Sequence, residues 1–220
     1  MRYTLAEIRH QLYAAVVCDA LDQVGLFRQS PRVALPLQTL SGTSSGLLVG
    51  RCKTTLWADM AHHDPEPYAL ELQAVDSCRD DEVLIAAAGG SMRSGIWGEL
   101  LTTAAKNRGC VGAIVDGAIR DVTKISAMDF LVFAKGKCLY DSLNRQRVID
   151  VDVPVEIDGV CFSPGDLVVA DADGIVVIPQ QVEDRVLELA FAKVHGENKV
   201  RDAIRQGMSA VTAYKTFGVL

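Results

Sequence analysis

Residues 82–121 read EVLIAAAGGSMRSGIWGELLTTAAKNRGCVGAIVDGAIRD, and the rhythm of apolar residues changes twice along them. EVLIAAA (82–88) is a short apolar run suited to a strand buried on both faces. GGSMRSGIW (89–97) is rich in glycine and small residues and reads as a loop. GELLTTAAKNRG (98–109) has helical spacing and stops at a glycine. CVGAIVD (110–116) is a second apolar run. Strand, helix, strand in this order predicts two parallel strands joined by a right-handed crossover, and so an α/β fold.

This topology brings distant residues together. The helix carries the chain away by about 15 Å over roughly ten residues. The second strand returns it by a similar distance. Glu99, at the helix start, should therefore lie near Gly117–Asp121, at the carboxyl edge where open α/β sheets bind ligands. Twenty residues lie between Glu99 and Arg120. The amides of Gly98, Glu99, Leu100 and Leu101 are unpaired at the helix start and suit an anion. Gly95 and Gly98 allow a ligand to approach the backbone. Arg120 can hold a carboxylate in a bidentate fork. Asp121 and Glu99 are hard oxygen ligands suited to Mg²⁺ or Mn²⁺. Together these groups suit a 2-oxo acid on a divalent metal, which would stabilise an enolate while a carbon–carbon bond breaks. The spacing also fits an ordinary dipole-friendly helix start and an exposed Arg–Asp pair worth little.

The remaining chain fits one domain. Residues 5–25 look helical, as one helix or two, with Gly25 as the stop. Residues 31–45 read as a connection, 46–58 as a strand and 64–77 as a helix. Further strands are expected at 130–136, 151–157, 165–171 and 174–179, with DADG (171–174) as a hairpin turn. Residues 180–207 suit a long helix in which Gly196 is a candidate break, followed by a short one. This helical extension, about 180–220, is a candidate for packing on a neighbouring subunit.

Composition excludes several classes. The 220 residues carry a net charge of −6, and no cluster of Lys and Arg suggests a nucleic-acid partner. Cys18, Cys52, Cys78, Cys110, Cys138 and Cys161 are scattered without metal spacing and read as reduced core thiols of a cytoplasmic protein. No signal peptide opens the chain, and no apolar run is long enough to span a membrane. Neither GxxxxGK[ST] nor GxGxxG occurs, so neither ATP nor NAD is expected. His62-His63-Asp64 reads as an exposed loop, Asp171 and Asp173 as turn residues, and Asp19 and Asp22 as structural. Arg93 either reaches a distal substrate carboxylate or is solvated. Asp141 and Asp150 have no evident partner.

The stretch GGSMRSGIWGELLTTAAKNRGCVGAIVDGAIRD strongly resembles the class II, metal-dependent 4-hydroxy-4-methyl-2-oxoglutarate aldolases, a family that includes the regulator of ribonuclease activity A. An acid, twenty residues and Arg-Asp is the family pattern, met here by Glu99, Arg120 and Asp121. VCDALDQVG (17–25) and SPGDLVVADADGIVVIP (163–179) also look like this family. The resemblance implies a β/β/α sandwich like the swivelling phosphohistidine domain, assembled as a homotrimer or a hexamer of two trimers. It implies an interface site in which Asp121 binds Mg²⁺ and Glu99 holds a metal-bound water. Arg120 would bind substrate and enolate oxygens, and amides near Gly98, Leu100 and Leu101 the other pyruvate oxygens. The implied reaction is retro-aldol cleavage to two 2-oxo acids, with oxaloacetate decarboxylation as a second activity. A neighbouring subunit would add an acid, with Glu197 the candidate and Glu188 behind it. One departure stands out: Lys124 occupies a position where family members often carry an acid. In the ribonuclease regulator the first acid of the pattern is replaced, so Glu99 favours an enzyme. A non-catalytic regulator binding a ribonuclease, a dedicated oxaloacetate decarboxylase and a sugar-acid aldolase are the alternatives.

Overall fold

The computed structural model describes residues 3–31, 38–41 and 46–219. The chain begins with helices α1 (Leu5–Gln11) and α2 (Ala14–Gln23). Thr4 caps α1: its side chain accepts from the Glu7 amide, and the Glu7 side chain accepts from the Thr4 amide. Gly25 ends α2 with φ +84°. Strands β1 (Gln38–Ser41) and β2 (Leu48–Asp59) follow, then α3 (Ala69–Asp76), β3 (Glu82–Trp97), α4 (Glu99–Asn107), β4 (Gly112–Ile119), α5 (Val122–Ser126) and β5 (Leu131–Lys137). The chain continues with β6 (Gln146–Val151), β7 (Val155–Ile157), β8 (Val160–Phe162), β9 (Leu167–Asp171), β10 (Gly174–Ile178), α6 (Glu183–Arg205) and α7 (Ala210–Phe217).

Among the described residues one sheet has the order β1-β5-β4-β3-β2-β9-β10, with β6 also paired to β2. β2, β3, β4 and β5 are mutually parallel, while β1, β6, β9 and β10 run antiparallel to their neighbours. The parallel unit expected over residues 82–116 is present.

Side-chain alternation along the strands sorts the core into two faces. On β3, Val83, Ile85 and Ala87 join one apolar cluster, and Leu84, Ala86 and Ala88 another. The first cluster lies under the β7–β8 hairpin, which contributes Val155, Ile157, Val160 and Phe162. The opposite face is covered by helices. α3, α4 and α5 pack over β3, β4 and β5. α1, α2 and α6 pack over β9, β10 and the start of β2. The result is a mixed α/β molecule of hairpin, sheet and helix layers.

Four expectations change. Residues 89–97 are part of β3 rather than a loop, because Ser94, Ile96 and Trp97 are buried and the strand resumes pairing with β4. The extra residues are taken up as bulges: Ala87 faces Asp116, but Ser91 faces Gly117 and Gly95 faces Ala118. The span 31–45 contains β1, which pairs with β5; residues 32–37 and 42–45 lie outside the described residues. The strand expected at 151–157 is two strands, β6 and β7, separated by Asp152 in a left-handed conformation (φ +57°) and by Pro154, which has no amide to donate. Gly196 does not break α6, which stays helical through Arg205. The first half of α6 is core, with Val186, Leu187, Ala190 and Phe191 buried against α1 and α2.

Candidate functional site

The four parallel strands end at one edge, and the segment after each supplies part of a site. β4 leads to Arg120 and Asp121, β3 to Gly98 and Glu99, β5 to Asp141 and Ser142, and β2 to Tyr68 and Glu71. Asp121 adopts a left-handed conformation (φ +57°) that Asp tolerates better than most residues. Its Oδ2 accepts a hydrogen bond from the Glu99 amide at 3.2 Å. This bond joins the two loops that the spacing brings together.

Gly95 and Gly98 make room for protein rather than for ligand. A Cβ on Gly98 would lie 2.9 Å from Asp121 Oδ2 and 3.3 Å from Arg120 Cγ. A Cβ on Gly95 would lie 2.5 Å from the Cys138 carbonyl oxygen and 3.0 Å from Arg120 Cβ. Likewise the Glu99 amide, expected to meet an anion, meets Asp121. Larger residues would push the Arg-Asp pair out of place.

Arg120 is oriented mainly by Asp141. Its Nη2 lies 2.6 Å from Asp141 Oδ2, whereas its Nε is 4.0 Å from Asp121 Oδ2. A pair at the longer distance contributes little, whereas the shorter one is a charge-assisted hydrogen bond. Asp141 is held in turn by the Tyr68 hydroxyl at 2.6 Å and the Leu143 amide at 2.8 Å. Burial pushes the Asp141 carboxyl up, but these bonds and the Arg120 charge outweigh it and hold the group below the usual range. Tyr68 is raised to about 12 by burial and by its bond to Asp141, so it keeps its proton.

Arg120 and Asp121 line two depressions. One, of about 270 Å³, is walled by Tyr68, Glu71, Gly98, Leu101, Asp141 and Ser142. The other, of about 460 Å³, includes Lys124, Lys137 and Leu139. Lys124 thus adds positive charge beside the Arg-Asp pair. The sequence does not single out Tyr68, Glu71 or Ser142 and shows no partner for Asp141. No motif spacing links them to Arg120; only the common sheet edge does.

Among the described residues no group of three or more His, Cys, Asp or Glu side chains is placed to enclose a metal. Asp121 and Glu99 offer two carboxylates on adjoining loops, at least partly open to solvent. That donor set fits Mg²⁺, which takes one or two carboxylates and keeps several waters. Glu197 lies elsewhere in its own chain. It accepts a hydrogen bond from the Tyr13 hydroxyl and lies 3.8 Å from Lys193 and 3.9 Å from Arg201. Glu188 accepts from Arg185 at 3.0 Å. Asp171 serves the β9–β10 turn, accepting from the Asp173 amide, and also caps α2 through the Ala14 amide. Asp19 pairs with Lys193 on α6. His62 and His63 are exposed, whereas Asp64 is buried against Arg147. Cys52, Cys78 and Cys110 are core residues, but Cys161 is exposed and Cys18 and Cys138 are half-buried.

The family profile described as RraA-like, Aldolase/RraA, matches residues 14–177, which run from the start of α2 into β10 and include the whole of this edge. The chain belongs to the RraA-like family. A relative from Halalkalibacterium halodurans, provisionally named 4-hydroxy-4-methyl-2-oxoglutarate aldolase, is 34% identical over 143 residues, covering 65% of this chain and 68% of its own. Protein DlpA of Legionella pneumophila is 29% identical over 93% of this chain, which spans only 32% of that longer relative. Among solved structures, Streptomyces coelicolor RraAS2 superposes with a TM-score of 0.78 at 26% identity, covering 90% of this chain and 94% of its own. RraAS2 is described as an unusual member of the RNase ES inhibitor RraA protein family. No helix among the described residues is long and apolar enough to cross a membrane.

Proposed function

We propose that this RraA-like protein is a divalent-metal-dependent lyase. It would cleave 4-hydroxy-4-methyl-2-oxoglutarate, or a related 4-hydroxy-2-oxo acid, to pyruvate and a second oxo acid, with oxaloacetate decarboxylation as a further activity. The observation that carries this reading is the contact between the Glu99 loop and Asp121, with Arg120 beside it. Mg²⁺ or Mn²⁺, held by Asp121 directly and by Glu99 through water, would polarise the 2-oxo group of the substrate. Arg120, kept in place by Asp141, opposes negative charge on the substrate carboxylate and on the oxygen that becomes anionic as the bond breaks. Open amides at Leu100 and Leu101 suit the other pyruvate oxygens.

Leu100 (77% exposed), Leu139 (93%) and Tyr140 (64%) surround this edge. Apolar side chains so exposed beside a site support a homo-oligomer, a trimer or hexamer, whose interface closes over it. Glu197 or Glu188 of a neighbouring subunit would then complete the site. The hairpin, sheet and helix layering supports the likeness to the swivelling phosphohistidine domain, and the burial of Cys52, Cys78 and Cys110 as core residues outside any disulfide supports a cytoplasmic setting.

The similarity to RraAS2 favours a second reading, a non-catalytic regulator that binds a ribonuclease. Glu99 weighs against it, since the acid needed for chemistry is present. Pyruvate release coupled to lactate dehydrogenase separates the readings. With 4-hydroxy-4-methyl-2-oxoglutarate or oxaloacetate, turnover is expected with Mg²⁺, and loss of turnover with EDTA or in Asp121→Ala. Activity retained in Asp121→Ala would remove the metal assignment. Inactivity on both substrates would favour the regulator, or a sugar-acid aldolase acting on a different substrate.

A further inference from the structure

Glu71 stands apart from the other acids at this edge. It lies on α3, is only 8% exposed, and lines the same 270 Å³ depression as Gly98, Arg120 and Asp121. The Ser142 side chain bonds its carboxyl, yet Oε2 is fully buried and has no hydrogen-bond partner. A buried polar oxygen without a partner is unfavourable, and folds rarely retain one without a use. Of the neighbouring acids, Asp141 has both oxygens engaged, by Arg120 and Tyr68, and Asp121 and Glu99 are the carboxylates read above as holding the metal. Asp121 accepts from the Glu99 amide. Glu99 takes a contact from the Thr103 hydroxyl. Tyr68 donates its only proton to Asp141.

We propose that Glu71 is the proton-transfer residue of this site, taking the proton from the C4 hydroxyl of the substrate and returning it to C3 of the first product. The proposal rests on the lyase reading above. As the Glu71 carboxylate removes the hydroxyl proton, the O–H electron pair forms the C4=O bond and the C3–C4 bond breaks. The pair released enters the C2=C3 bond of pyruvate enolate, whose oxygen faces Arg120. The enolate carbon then takes the proton from the Glu71 carboxyl. Pyruvate and the second oxo acid leave, and Glu71 is again a carboxylate. No oxidant or reductant is involved.

The electrostatics agree with this role. Burial first, and then the negative charge of Asp141, raise the Glu71 carboxyl to about 8, with Arg120 and Ser142 pulling the other way. Asp141, Arg120, Asp121 and Tyr68 are the charged or titratable groups that line the depression with it. An acid with a value near the working pH can accept a proton and give it back. The carboxyls of Asp141 and Tyr68's phenol, shifted in opposite senses away from neutrality, cannot.

The test is Glu71→Gln, which keeps size and shape. With Mg²⁺ and 4-hydroxy-4-methyl-2-oxoglutarate, kcat is expected to fall by about 100-fold or more while KM changes little. Exchange of the pyruvate methyl protons with D₂O, followed by NMR, should be lost in the same variant. Glu71→Asp should restore part of both. In the wild type, kcat should rise between about pH 6 and pH 9, and this limb should be absent from Glu71→Gln. A Glu71→Gln enzyme with wild-type kcat and exchange would overturn the proposal. If the variant does not fold, a wild-type kcat that is flat across this pH range would overturn it equally. A wild type inactive in both assays removes the lyase reading itself, whereas an active wild type with an unaltered variant removes only the role of Glu71.

Discussion

Gly98 illustrates how much of this site depends on a missing side chain. Its φ of −151° is open to any residue, so alanine there meets no backbone strain. The cost would be a clash with Asp121 and Arg120. Gly98→Ala should therefore fold normally and lose about 100-fold in turnover through a displaced Arg-Asp pair. A variant with normal kinetics would show that this close contact is unimportant. Glu71 makes a second statement at this scale. Its folded value of about 8 lies above the ordinary 4.5, so the folded chain holds a proton that the unfolded chain has already released. The stability it contributes is complete below about pH 4.5 and is lost as pH rises towards 8. Thermal unfolding of the wild type should shift downward across this window, and Glu71→Gln should flatten that dependence. Glu99, Arg120 and Asp121 were legible in the sequence because a strand–helix–strand unit sets their separation. Tyr68, Glu71 and Asp141 were not, because their approach depends on where β2 and β5 sit in the sheet. That placement is non-local and leaves no local spacing to read.

The elements divide in the same way. α4 and β4 followed from period and glycine stops. The sequence signals an end to β3 at Ala88, because the glycines and small residues that follow resemble a loop, whereas bulges carry the strand on to Trp97. β7 falls inside the strand expected at 151–157, and β8, three residues long, leaves no periodic signal. The hairpin they form is fastened to the sheet by charge. Lys135 on β5 lies 2.5 Å from Asp116 on β4 and 3.1 Å from Asp158 at the hairpin tip, all nearly buried. Removing the cation leaves two carboxylates facing each other in the interior. Lys135→Met should destabilise the fold by about 3–5 kcal/mol in urea titration. A loss below about 1 kcal/mol would mean that the hairpin is held by its apolar residues alone.

Across the whole molecule, the site edge is bordered by Leu100, Leu139 and Tyr140, while the end of α6 and α7 expose Ile204, Val211 and Tyr214. Exposed apolar side chains in both regions are consistent with the homo-oligomer proposed above. Sedimentation at micromolar protein is expected to show a trimer or hexamer, and dilution to monomers should abolish turnover. An active monomer would contradict a site completed at an interface. The sheet order carries one more consequence. The edge of β2 is closed by β9, with Leu48 facing Ala170, and α1 and α2 are covered by α6. During synthesis the first helices and the first long strand leave the ribosome well before the segments that cover them. Their apolar surface stays open to solvent until those segments emerge, so a partly synthesised chain is expected to expose faces that the finished fold buries.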